Sequence, residues 1–182
     1  VYIEGDGLAW VSSRRPSENP TPGDPMALKL ALAQPAGNVV YLARPCQYVD
    51  TDTQPQCRQN FWTEGRFSEP VIRSTSDALD AIKKHYDSEA VSLIGYSGGG
   101  AVAVLVAARR EDVRQIITVA GNLDHLEWTQ LHGLSPLDTS LNPADEWRRV
   151  QHIPQVHFVG SDDRVIPVRI AEAYKSRFGD NR

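Results

Sequence analysis

The sequence predicts an α/β fold, a mostly parallel sheet with helices on both faces. Short runs rich in Val and Ile, which favour strands, alternate along the chain with segments that carry apolar residues at helical spacing. Parallel strands need long crossover connections, and helices usually supply them. Because 182 residues suit one domain, we expect a single α/β unit over residues 1–182.

The elements follow from local pattern. Strands are predicted at residues 1–4, 39–43, 91–94, 113–120 and 155–159. Helices are predicted at residues 26–33, 69–86, 98–110, 143–150 and 168–178, with Ser68 as the N-cap of the second. Residues 12–25 are rich in proline and residues 44–67 are irregular, so both segments are predicted to be loops.

Composition excludes several classes of function. The net charge is −4 and the arginine pairs are scattered, so no basic stripe indicates nucleic-acid binding. No apolar run approaches the roughly 18 residues of a membrane-spanning helix. The two cysteines lack a nearby histidine pair, which argues against zinc, and no metal or cofactor is implied.

Cys46 and Cys57 flank the polar stretch 50–56 and are predicted to form a disulfide; the alternative is two unrelated thiols. A disulfide would indicate an oxidising compartment and favour a periplasmic or secreted protein. Val1 is not an initiator methionine, so we expect the chain to be trimmed at its front.

Residues 95–99, Gly-Tyr-Ser-Gly-Gly, join the predicted strand 91–94 to the predicted helix 98–110. This strand–turn–helix context is what a G-x-S-x-G motif requires, and it predicts Ser97 as a nucleophile on a tight, strained turn. The N–H of Gly98 lies at the start of the helix, where it can stabilise an oxyanion.

Two other interpretations of this turn stay open. The first is a glycine-rich turn with an incidental serine. The second is a dinucleotide fingerprint, because residues 98–103 formally fit G-x-G-x-x-A. Register argues against it: the first glycine should follow the strand directly, which puts Ser97 where the backbone must approach a pyrophosphate.

With these features the chain resembles the α/β-hydrolase superfamily over nearly its whole length. Residues 1–7 resemble the strand and loop of the H-G-x-G oxyanion turn, with Glu4 where histidine is common and Gly5 matching. The resemblance implies that the N–H of Asp6 is the second oxyanion donor. The backbone carries this role, so the side chain can differ.

Residues 160–167 resemble the acid loop G-x-x-D-x-V-x-P of the superfamily. The resemblance implies that Asp163 is the triad acid, which orients a catalytic histidine and stabilises its charged form. Asp162 is the neighbour most easily confused with it. The alternative is a surface turn rich in aspartate before a helix.

No histidine follows Asp163, so the resemblance implies that the catalytic histidine lies beyond Arg182 and that the chain is cut at both ends. Of the histidines present, His125 is the best substitute base, with Asp124 as the alternative acid. His132, like His125, falls in the segment after the predicted strand 113–120, at the sheet edge expected to carry the site. Packing or connecting roles are expected for His85, His152 and His157.

The activity implied is hydrolysis of an ester or related acyl substrate through an acyl-enzyme on Ser97. Residues 122–142 are expected to cover the site, and Trp10, Trp62 and Trp128 are either apolar walls for a small acyl substrate or packing anchors. The rival functions are a hydrolase-like binding protein without catalysis and a nucleotide-binding domain.

Overall fold

A computed structural model describes residues 1–12 and 14–179. The strands are β1 (Tyr2–Ile3), β2 (Trp10–Ser12), β3 (Arg15–Pro16), β4 (Tyr41–Leu42), β5 (Val91–Tyr96), β6 (Val113–Val119) and β7 (Gln155–Phe158). The α-helices are α1 (Met26–Ala33), α2 (Glu69–Tyr86), α3 (Gly98–Ala107), α4 (His125–His132), α5 (Trp147–Val150) and α6 (Val168–Ser176).

The main sheet has five parallel strands in the order β4-β1-β5-β6-β7. Helices cover both of its faces. On one face α3 packs against β5 and β6, while Tyr174 of α6 donates a hydrogen bond to Gln155 of β7. On the other face the Tyr2 hydroxyl donates to Gln34, just after α1, at 2.6 Å. The predicted α/β class is therefore confirmed.

The centre of the core is α3, in which every residue is buried. Its sequence is apolar on all sides because the sheet lies below it and α2 packs on its outer side. The neighbouring strand β5 alternates, with Val91, Leu93 and Gly95 buried and Ser92 exposed. This alternation fixes the register of β5 in the sheet, and the register sets the position of its last residues at the sheet edge.

Some local predictions were wrong. The proline-rich segment 12–25 is not all loop, because β2 and β3 form a short antiparallel ladder between Trp10 and Pro16. Proline is tolerated there because both strands lie outside the main sheet. Ser68 is the N-cap residue of α2, as predicted, but its hydroxyl makes no capping bond and has no partner in the described part of the chain.

A disulfide joins Cys46 and Cys57. The segment between β4 and α2 is irregular, as predicted, apart from 3-10 turns at Thr51–Thr53 and Gln59–Trp62. None of the helices in the described part has the length and apolar character needed to span a membrane.

Reduction of the disulfide is expected to lower the free energy of unfolding by about 3 kcal/mol, because opening a loop of this size frees the unfolded chain. Urea denaturation with and without a thiol reductant measures the difference. The Cys46→Ser/Cys57→Ser variant is the control, and reductant should leave its midpoint unchanged. Equal midpoints for the oxidised and reduced wild type would contradict the prediction.

Candidate active site

Ser97 lies in the sharp turn between β5 and α3, with φ 50° and ψ −120°. A positive φ is unusual for a residue other than glycine and is found where the surrounding structure enforces it. Here the Ser97 N–H donates to Val119 O at 2.9 Å, and the Ser97 carbonyl accepts from Gly100 and Asn122 at 2.9 and 3.1 Å. Hydrogen bonds to β6 and to the segment after it therefore hold the turn.

Two glycines allow this turn to form. A Cβ on Gly95 would lie 2.3 Å from the carbonyl oxygen of Gly99, and a Cβ on Gly99 would lie 2.3 Å from the carbonyl oxygen of Ile3. Both obstacles are backbone atoms, which cannot rotate away as a side chain can. The first turn of α3 therefore lies directly on the ends of β1 and β5.

Ser97 opens onto a pocket of about 440 Å³ at the carboxyl edge of the sheet. Its walls include Leu8 and Trp10 from the segment after β1 and Trp128 from α4. Trp62 is not part of it: its indole is buried and donates to Ser17 O at 2.9 Å, so it is a packing anchor. The ends of parallel strands in open α/β sheets are where ligands usually bind.

Asp6 and Gly98, the two candidate oxyanion donors, lie against one another. A Cβ on Gly98 would be 2.0 Å from Asp6 Oδ1, so the Asp6 carboxylate occupies the space of the missing side chain. In the described part of the chain, neither the Asp6 N–H nor the Gly98 N–H has a hydrogen-bond acceptor. Both backbone donors therefore remain available beside Ser97.

Glu4 stands where histidine is common in the superfamily, and its side chain is buried. Its carboxylate accepts hydrogen bonds from the Gly5 N–H at 2.9 Å, the Ala27 N–H at 3.4 Å and the Tyr41 hydroxyl at 3.2 Å. The Ala27 N–H belongs to the first turn of α1, where a carboxylate is favourable. Glu4 thus joins the start of α1 to the loop that carries Asp6.

Asp163 follows β7, and its Oδ1 accepts from the Val165 and Ile166 N–H groups at 2.8 and 2.9 Å. Burial raises the pKa of the Tyr96 hydroxyl, and the nearby charge of Asp163 raises it further. Tyr96, the residue before Ser97, lines the pocket together with Val165 and Ile166, whereas Asp163 itself is not part of the pocket wall.

In the part of the chain that the structure describes, no histidine lines the pocket. The His125 ring is buried, its centroid lies 6.0 Å from that of Phe67, and neither ring nitrogen has a hydrogen-bond partner among the described residues. Burial lowers the pKa of His125, although the charge of Asp124 opposes that shift. His125 therefore resembles a core histidine more than a base in contact with Ser97.

His157 and His132 also lie outside the pocket wall, and each contacts another residue. His157 Nδ1 lies 2.9 Å from Thr118 Oγ1, and burial lowers its pKa to about 4. His132 Nε2 lies 3.0 Å from the carbonyl oxygen of Val165 and is exposed. Asp124, the alternative acid, is buried and accepts from Glu127 and Asn142, away from the pocket wall.

Arg44, Arg66 and Asn122 were not predicted as site residues. Arg66 and Asn122 line the pocket, and Arg44 lies behind it, with Nη1 3.1 Å from Asp6 Oδ1. Asn122 is buried, and its Oδ1 has no partner among the described residues. Arg44 and Asn122 follow predicted strands at the carboxyl edge, which is a usable signal; Arg66 follows no strand.

An all-parallel sheet flanked by helices, with a serine turn at its carboxyl edge, is the architecture of an α/β-hydrolase. A Pyrococcus furiosus esterase, Pf2001, matches 64% of this chain and 49% of its own, with 17% identity and a TM-score of 0.50. An α/β-hydrolase from sediments of the Mar Chica lagoon matches 60% and 56%, with 21% identity and a TM-score of 0.46. The chain thus spans about half the length of these structures.

The family model described as serine hydrolase (FSH1) matches residues 27–178. This match covers most of the chain, so the chain belongs to the serine hydrolase (FSH1) family within the α/β-hydrolase superfamily. No curated protein matches it.

Proposed function

We propose that the protein hydrolyses an ester or related acyl substrate through an acyl-enzyme on Ser97. The observation that carries the proposal is the strained Ser97 turn beside the N–H groups of Asp6 and Gly98, neither of which has an acceptor among the described residues. Ser97 and Asp6 line the same pocket. Donors of this kind are worth most when they are fixed before the reaction and point at the charge that develops in it.

In the proposed reaction the Ser97 hydroxyl attacks the substrate carbonyl carbon, and its proton passes to a histidine oriented by Asp163. The carbonyl oxygen becomes an oxyanion that accepts hydrogen bonds from the N–H groups of Asp6 and Gly98. The alcohol then leaves with the proton. Water attacks the acyl-enzyme by the same route and releases the acid.

The walls of the pocket favour an acyl group with an apolar part. Leu8 and Trp10 are exposed apolar residues in the pocket wall, and Trp128 lines the same pocket. Trp128 is held in place because its Nε1–H donates to Val165 O at 2.8 Å. Apolar side chains in a pocket wall favour the apolar part of a ligand, and Asp6, Asp24 and Arg66 line the same pocket as polar groups.

The test is intact mass after treatment with a fluorophosphonate, comparing the native protein, which need not end at Arg182, with its Ser97→Ala variant. We expect one adduct on the wild type and none on the variant, because only an activated serine reacts at a useful rate. Peptide mapping should place the adduct on Ser97. A His125→Gln variant then asks whether His125 supplies the base.

The second candidate is a hydrolase-like protein that binds acyl compounds without cleaving them. It is favoured by the described pocket wall, which carries no histidine. A wild type without adduct whose tryptophan fluorescence still responds to an apolar ester would favour this candidate. A Ser97 adduct would exclude it.

A further inference from the structure

We propose that Arg44 and Arg66 are positioning residues that act through the Asp6 carboxylate, holding the Asp6 N–H in register with the Gly98 N–H. Arg44, Asp6 and Arg66 are called the Asp6 clamp below. The inference rests on the proposed function, and it assigns to the Asp6 side chain a role separate from that of its backbone.

Each Asp6 carboxylate oxygen has its own arginine. Arg44 Nη1 donates to Oδ1 at 3.1 Å, and Arg66 Nη1 donates to Oδ2 at 2.9 Å. The side chains of Arg44, Arg66 and Asp6 are only 5, 9 and 19% exposed, so solvent screens these pairs weakly. Two charge-assisted bonds from different directions fix the rotation of the carboxylate as well as its position.

The arginines are themselves anchored to the backbone. Arg44 Nη2 donates to the Arg66 carbonyl oxygen, and Arg66 Nε donates to the Thr63 carbonyl oxygen at 2.6 Å. Gln47 Nε2 donates to the carbonyl oxygen of Gly5 at 3.0 Å. The segments after β4 and before α2 thus both hold the loop that carries Asp6.

The contact between the Asp6 carboxylate and Gly98 connects the Asp6 clamp to the proposed catalysis. Because the Asp6 carboxylate fills the space of a side chain at position 98, Asp6 rests directly on the first residue of α3. Two N–H groups from different segments must converge on one oxyanion at about 2.7–3.1 Å. A misplacement of about 1 Å can cost roughly 100-fold in rate.

A contribution to stability does not explain why two arginines are buried beside the Asp6 carboxylate. Arg44 is buried, its Nε has no partner among the described residues, and burial lowers its pKa against the opposing effect of Asp6. Buried ion pairs often add no net stability over apolar residues of the same volume. A positioning role accounts for two buried arginines on one carboxylate.

The decisive variant is Asp6→Asn, because a positioning role of the Asp6 carboxylate and a simple effect of its negative charge predict opposite changes in kcat. Asparagine cannot accept two charge-assisted bonds, so loss of positioning should lower kcat for p-nitrophenyl butyrate about 10- to 100-fold, with KM nearly unchanged. If only the positive charge beside the oxyanion mattered, removal of the carboxylate would raise kcat. Arg66→Gln should lower kcat similarly, and Arg66→Lys should restore part of it.

Arg110→Gln is the matched control. Arg110 also pairs with two carboxylates, those of Asp80 and Asp112, but it lies outside the pocket wall. The kcat of the Arg110→Gln variant should equal that of the wild type. If Asp6→Asn fails to fold, Gly98→Ala replaces it: the new Cβ displaces the Asp6 carboxylate while all three charges remain. The same loss of kcat is expected.

The outcomes separate the two proposals. A wild type that shows no turnover and no Ser97 adduct overturns both the proposed function and the Asp6 clamp. A wild type with a Ser97 adduct, together with an Asp6→Asn variant of equal or higher kcat, overturns the clamp and leaves the function standing. A lower kcat with an equally raised KM also overturns it, because substrate binding would then be what changed.

Discussion

Asp163→Asn is expected to slow the reaction of Ser97 with a fluorophosphonate about 10⁴-fold, the size of effect known for loss of a triad acid. Asparagine keeps an oxygen that can accept from the Val165 and Ile166 N–H groups, so the loop after β7 should stay folded. In the proposed mechanism, the variant loses the charge that would orient and stabilise the catalytic imidazolium. The measurement is the second-order labelling rate at Ser97.

Two companion variants define what this result means. Asp162→Ala should react at the wild-type rate, because Asp162 is exposed beside the same turn. Asp163→Ala removes both the charge and the hydrogen bonds to the loop. A fast Asp163→Asn together with a slow Asp163→Ala would show that Asp163 only holds the loop, and it would contradict the role of triad acid.

Gly99→Ala is expected to lower the free energy of unfolding by about 2–3 kcal/mol, near the upper end for overpacking. The added Cβ would lie 2.3 Å from the carbonyl oxygen of Ile3 and 2.5 Å from that of Glu4. Both oxygens belong to backbone that β4 and β5 hold in place, so α3 must move away from the sheet. Urea denaturation measures the loss.

Gly23→Ala is the control for this prediction. A Cβ at Gly23 would meet no heavy atom within 4 Å, so the change should stay within about 0.5 kcal/mol of the wild type. If Gly99→Ala matched Gly23→Ala in stability, the close approach of α3 to β1 would not be the constraint that the geometry indicates.

The central strands and α3 could be predicted because their patterns are local. Helix α4 was missed inside the segment expected to cover the site, although its signals are present. The Asp124 side chain accepts from the Glu127 N–H at the start of α4, and Gly133 ends it with φ 61°. A D-x-x-E pattern followed by glycine was therefore sufficient to predict this helix.

The surroundings of the site were harder to predict because they depend on contacts distant in sequence. Ser97 and Gly98 belong to one motif, and Asp6 and Asp163 belong to loops with their own patterns. Arg66 meets Asp6 across 60 residues of sequence, and Arg44 meets it across 38. No periodicity or spacing reports such a pairing, so only the folded chain shows it.

The contact between Asp6 and Gly98 also limits how this protein and its homologues can vary. A carboxylate at position 6 and any side chain at position 98 compete for the same space. The two positions should therefore change together among homologues. A chain that gains a side chain at position 98 should have lost the acid at position 6, and the selection that maintains both arginines should be relaxed with it.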